Sequence, residues 1–413
     1  MDKFNGIQTD RVTGRLVPTA HKCGMIKTFE TGRTPSREVF IGPEGDGSDV
    51  TGDGSFERPF ATFGKAFPVE PGTAIRLKPG NYGIYLHVVN LHGTESDPIW
   101  IGGIPGEARP VFTGGDTAVT IQKGSYIVIH DLEVAGTKEQ AHGIHLNEAG
   151  DGDDSDAIQH ITVRGCYLYN IWNSPIKMAG VNRSFIYDNE FAFDLPGCRN
   201  SGTVDQVGCH YNTVAYNYFH DLTGIGVVNK GGSLENDIFG NLFVNAGCAV
   251  TVGQSTGVPF FRPHIRFDGE FKNGEWNVRE VLPNRDRYEA RGIRVYSNIM
   301  ADCAAGFTVG PSTECYAVNN TVINPTQYVL RILNMDPGDM LKLGNFAKPH
   351  GSFITDNVFC YGADLDDPFN TSEDSLESFT FTGNMLYSLG SPGSQPKNIG
   401  KFREEDLRTC AFL

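Results

Sequence analysis

The sequence predicts an all-β chain wound into a single-stranded parallel solenoid, and three observations carry that expectation. A short phrase ending on Asn recurs along most of the 413 residues, β-branched and aromatic residues alternate with period two around it, and no helical periodicity separates its copies. Composition agrees: 50 Gly, 27 Phe and 15 Tyr with 39% hydrophobic residues describe a folded, turn-rich chain with a large core.

The phrase reads IYDNEF (186–191), VAYNYF (214–219), IFGNLF (238–243), VYSNIM (295–300), AVNNTV (317–322), ITDNVF (354–359) and FTGNML (381–386). IHDLEV (129–134) and VRGCYL (163–168) place Leu132 and Cys166 in the same slot. The slot falls at 132, 166, 189, 217, 241, 298, 320, 357 and 384, giving spacings of 34, 23, 28, 24, 57, 22, 37 and 27. A floor of 22 to 24 residues is one structural rung carrying loops of different length. It is too short for a strand–helix–strand unit, which needs ~30 residues, but it suits coils stacked ~4.8 Å apart, about a dozen of them. Asn is expected in the slot because it tolerates the left-handed conformation and its amide can bond the amides above and below.

Residues 39–82, VFIGPEGDGSDVTGDGSFERPFATFGKAFPVEPGTAIRLKPGNY, resemble the opening of pectate-lyase-like right-handed β-helix proteins. The matching residues are Gly54, Pro59, Phe60, Thr62, Ala66, Pro71, Gly72, Ile75, Leu77, Pro79, Gly80 and Tyr82. The resemblance implies a right-handed helix with a short capping helix over Thr62–Phe67. At the other end Phe402, Leu407 and Cys410 have helical spacing and would cover the last coil. The expected organisation is an N-terminal extension (1–38), a β-helix (39–390) with insertions near 147–159, 193–203 and 253–292, and a C-terminal tail or cap (391–413).

Forty-nine acidic against 34 basic side chains give a formal charge of −15, which argues against nucleic acid and anionic membranes as partners. A polyanionic substrate would need a locally basic groove. No stretch approaches the ~20 apolar residues of a membrane span. With no signal peptide in the chain, an extracellular or cell-surface location assumes one has been removed. Nine scattered cysteines without CxxC spacing suggest neither a zinc ribbon nor a disulfide framework. Cys198 and Cys209 are a conceivable pair, although Cys209 sits in a rung phrase where packing accounts for it.

Three coils align without gaps when numbered back from the slot: IKMAGVNRSFIYDN (176–189), VDQVGCHYNTVAYN (204–217) and VNKGGSLENDIFGN (228–241). Equal offsets put Lys177, Asp205 and Asn229 in one outward polar column, with Lys230 at its end and Ile176, Val204 and Val228 inward. The three insertions would wall a groove over that column, and grafted loops commonly carry function. His210 lies near it. Phe260, Phe261, Trp276 and Tyr288 in the third insertion could stack on sugar rings or pin the loop. His142, His145, His160, His210 and His220 form no metal-type pair, and for His210 a structural or solvent role is favoured over a part in the groove. Asp151, Asp153, Asp154 and Asp156 are a candidate calcium loop that does not match the EF-hand pattern, so a solvated acidic loop is the competing reading.

Lys230, following Asn229 shortly before a rung Asn, resembles the catalytic lysine of the chondroitinase B and alginate lyase family. That resemblance implies a β-elimination in which Lys230 removes the proton α to a uronate carboxylate while Ca²⁺ neutralises it, with Asp205 and Glu235 as candidate ligands. Gly231 and Gly232 would let a sugar approach the backbone. The family's arginine on the next coil has no counterpart in VTVGQ (250–254), so Arg262 or Arg266 would have to replace it. A lyase acting on an acidic polysaccharide is therefore expected, with a non-catalytic glycan-binding or structural β-helix and a glycoside hydrolase as rivals.

Overall fold

Residues 174–192 show the plan of one coil: Ser174–Ala179 on a first face (A), Phe185–Tyr187 on a second (B) and Glu190–Ala192 on a third (C). In the computed structural model the next coil lays Val204–Val207, Thr213–Ala215 and the start of Tyr218–Lys230 parallel onto these strands. Repetition of that step makes a right-handed parallel β-helix. Face B runs through twelve strands from Arg37–Ile41 to Thr380–Thr382, roughly 50 Å at ~4.8 Å per step. The residues described are 7–9, 16–18, 26–148, 158–193, 202–264, 267–273, 275–281, 288–333, 348–362, 365, 368–371, 378–390 and 407–409.

Period-two alternation sends every second strand residue inward. Ile176, Val204, Val227 and Val250 stack in register on face A. On face C, Phe191, Phe219 and Phe243 stack at centroid distances of 4.8 and 4.6 Å, each fully buried. Burying one such side chain contributes roughly 1.5–3 kcal/mol, and the column supplies it at every coil.

The slot asparagines form a continuous ladder. Each Nδ2 donates to the Oδ1 of the next coil's asparagine, from Asn189→Asn217 through Asn241, Asn298, Asn320 and Asn357 to Asn384, at 2.9–3.0 Å. The same Oδ1 atoms accept the backbone N–H of the preceding slot residue, Cys166 included. One expectation is corrected. The left-handed residue is not the asparagine but the one before it: Asp131, Gly165, Asp188, Tyr216, Gly240, Ser297, Asn319, Asp356 and Gly383 all have φ between 50° and 71°. That residue turns the chain from face B to face C, and the asparagine behind it is left pointing inward, where its amide satisfies corner groups that lack a sheet partner.

Near the start, Phe63–Ala66 forms one helical turn with Phe63 and Ala66 in the core, and the Tyr82 hydroxyl donates to the carbonyls of Ile41 and Lys78. The expected C-terminal helix is corrected: Leu407–Thr409 is a strand paired parallel to Asn384–Ser388, satisfying an otherwise open sheet edge, while Phe402 and Cys410 lie outside the described residues. Cys209 is a buried free thiol donating to the Val207 carbonyl, and Cys198 lies outside the described residues. No helix among the described residues is long and apolar enough to cross a membrane.

Asn217 Nδ2 donates to Ile186 O, Ala215 O and Asn241 Oδ1, while its Oδ1 serves Asn189. Asn217→Ala leaves these buried groups unpaired and should cost roughly 2–4 kcal/mol, read as a lower urea midpoint. An unchanged midpoint would show that the ladder contributes nothing.

Candidate active site

Face A carries the polar row. In the strand register Lys177 lies opposite Asp205, and Asp205 opposite Val228. Lys177 Nζ donates to Asp205 Oδ2 at 2.5 Å. Lys230 Nζ stands 3.3 Å from Asp205 Oδ1 as an ion pair without a well-aligned hydrogen bond. Asp205 is 3% exposed, whereas the two lysine side chains keep 21% and 17% of their surface. Two cations flanking one shielded carboxylate leave a local charge of +1 facing outward.

Asn229 does not belong to this row. It is fully buried, pairs in register with Gln206, and its Oδ1 accepts from Gln206 Nε2 and Asn236 Nδ2. Val228 correspondingly leaves the inward column, which Val227 fills. The cause is one extra residue in a corner. Two residues separate Val207 from His210 but three separate Lys230 from Leu234, although both pairs are in register. Gly231–Gly232 absorb the difference with φ of 67° and 85°. A sugar cannot use that space, because a Cβ on Gly232 would meet the Arg262 carbonyl at 2.2 Å and one on Gly231 would meet Val207 at 2.8 Å.

Of the two arginines proposed to replace the family's, Arg262 is engaged. It pairs with the buried carboxylate of Glu148 and donates to the Phe261 carbonyl, its stem lying over Gly208. Glu235 is held by Arg294 at a different corner and is not brought to Asp205. Phe261 is 2% exposed and pins the third insertion rather than facing a sugar, and Tyr288 bonds His350 Nε2 at 3.2 Å. His210 is buried at the corner after Val204–Val207, its backbone N–H donating to Asn182. Arg266, the side chain of Trp276, and Asp151, Asp153, Asp154 and Asp156 lie outside the described residues.

Three groups next to the row are not assigned to the site by the sequence, which offers no metal-type pairing for His142 and His145 and no role for Glu289. His145 is the register partner of Lys177 on the preceding coil, and its ring lies 4.9 Å from that of His142. Burial, then His142 and Lys177, push the His145 imidazole down to about 4, and burial lowers His142 as well. Both are uncharged at neutral pH. The third is Glu289, fully buried beneath the Lys230 corner. Its carboxylate accepts the N–H groups of Gly231 and Thr256, each at 2.8 Å, and burial raises its pKa to about 7.

Calcium does not fit the described part of this site. Asp205 is engaged by two lysines and Glu235 by Arg294, and no cluster of three or more His, Cys, Asp or Glu able to hold a metal occurs among the described residues. No step is therefore routed through a metal.

Residues 111–263 match the family model described as right handed beta helix region. Similar solved structures include the XylC–xylose complex (11% identity, 88% of this chain and 85% of that one, TM-score 0.50). Others are the pectate lyase Pel9A (15%, 92% and 91%, 0.46) and the GH136 lacto-N-biosidase of Eubacterium ramulus (12%, 86% and 68%, 0.48). At 11% identity the likeness to XylC is one of fold alone, and it agrees with the parallel β-helix that the strand pairing describes. No curated protein matches the sequence.

Glu289→Ala would strand two buried N–H donors and should lower stability by roughly 2–5 kcal/mol, measured by denaturant unfolding. A loss below roughly 0.5 kcal/mol, the size of a surface substitution, would contradict its role in holding the corner.

Proposed function

We propose that the chain acts on an acidic, uronate-containing polysaccharide, outside the cell, and cleaves it by β-elimination on face A. The observation that carries this reading is the pair of lysines converging on Asp205 on an outward row of a protein whose formal charge is −15. A uronate carboxylate lying across Lys177 and Lys230 exchanges water for two ammonium groups already oriented by Asp205. Neutralising that carboxylate stabilises the negative charge that develops when the adjacent C–H proton leaves, and such preorganised stabilisation is worth several kcal/mol. Lys230, expected from the sequence as the base, is paired with Asp205, and its geometry suits charge neutralisation better.

Hydrolysis is less well supported. A glycosidase needs two carboxyl groups roughly 5–9.5 Å apart flanking the bond, and Asp205 is the one carboxylate of the described row, with Glu289 wholly buried.

The test is incubation with pectate, alginate, chondroitin and hyaluronan, with Ca²⁺ or with EDTA, reading the ultraviolet absorbance of the unsaturated product. Activity on at least one polymer is expected, with Lys177→Ala and Lys230→Ala each lowering kcat/KM by about 10²-fold. Absence of product from every polymer, or full activity in both variants, would sink the elimination reading. Binding without cleavage would favour the glycan-binding rival.

A further inference from the structure

The proposed elimination needs a group that accepts the proton, and both lysines are engaged with Asp205. One coil before Lys177, on the same outward row, stands His145. Adjacent coils are ~4.8 Å apart, so a side chain one coil from Lys177 can reach the α-carbon of a carboxylate bound at Lys177. Among the described residues the His145 ring makes no hydrogen bond, so a nitrogen lone pair remains available. The titratable and charged groups around it are His142 on its own strand, Lys177 on the next coil, and Asp116 just before the strand of the preceding coil.

Resting on the reading above, we propose that His145 is the catalytic proton acceptor, taking the C5 proton of a uronate whose carboxylate lies across Lys177 and Lys230. The imidazole lone pair takes the proton, and the C5–H electrons form the C4–C5 double bond. The C4–O bond breaks with its electrons on the glycosidic oxygen, which takes a proton from water, and the imidazolium returns its own proton to water. No oxidant, reductant or other co-reactant is consumed. His142 is a positioning residue that limits the ring's freedom.

The geometry also sets a pH signature. The uncharged imidazole is the active form, so kcat/KM, which reports the free protein, should fall as pH drops through about 4. A bound uronate carboxylate brings a negative charge beside the ring and raises its pKa, so the acid limb of kcat should lie at higher pH than that of kcat/KM.

The experiment uses the full chain and the polymer on which the wild type is most active. His145→Ala should lower kcat by about 10²–10⁴-fold, with KM changed little. Added imidazole should restore part of the rate, following the titration of free imidazole near ~6.5–7 rather than the wild-type limb. The assignment is overturned if His145→Ala keeps at least a tenth of wild-type kcat, or if it folds with an unchanged melting temperature yet is not rescued. Should that variant fail to fold, the wild-type profile decides, and a kcat without the raised acid limb overturns it. Loss of activity in Lys177→Ala and Lys230→Ala with His145→Ala still active would leave the elimination reading standing and remove only His145. A wild type inactive on every polymer would remove both.

Discussion

The asparagine ladder is the constraint on which the rest depends. A parallel coil is free to slip along its neighbour unless something counts residues, and an inward amide bonded above and below counts them once per turn. From Asn189 to Asn357 each amide donates to the next coil's asparagine and to backbone carbonyls, so a one-residue slip would break several buried bonds at once. With the B-to-C corner pinned, the variable lengths between rungs must be taken up elsewhere. They are taken up at the edges of face A, where the insertions at 147–159, 193–203 and 253–292 leave the coil.

Face A is therefore a rigid platform with adjustable borders. On it, equal register brings Lys177 against Asp205, while the corner at Gly231–Gly232 displaces the following strand by one residue. That displacement turns Asn229 into the core with Gln206 and leaves Lys230 able to reach Asp205 diagonally. The third insertion closes over the same corner: Arg262 N–H donates to the Gly231 carbonyl, its side chain pairs with Glu148, and Glu289 binds Gly231 and Thr256. Lys230 is thus presented by a corner held from below by a buried carboxylate and from outside by a loop.

The rungs, the opening motif and the approach of Lys177 to Asp205 were legible in the sequence because each follows from a repeated local pattern. The failures have local causes too. Counting back from Asn241 placed Asn229 outward because an extra glycine in a corner is invisible to an offset alignment. The left-handed residue was assigned one position late because the pattern marks a corner without saying which residue turns. Arg262 and Glu235 read as available charges, yet each is consumed by a partner distant in sequence, Glu148 and Arg294. His145 is not placed in the row by the sequence because the insertion at 147–159 separates it from its rung, although extending the column one coil back from Lys177 leads to it.

The proposed elimination requires a uronate carboxylate across Lys177 and Lys230 with Asp205 behind them. A crystal structure of the protein with a saturated uronate tetramer tests it most directly. The expected result is a carboxylate within hydrogen-bond distance of both Nζ atoms and a sugar ring carbon facing His145. A tetramer bound only elsewhere, for example against the exposed Tyr85 and Val89 at the N-terminal end, would contradict it.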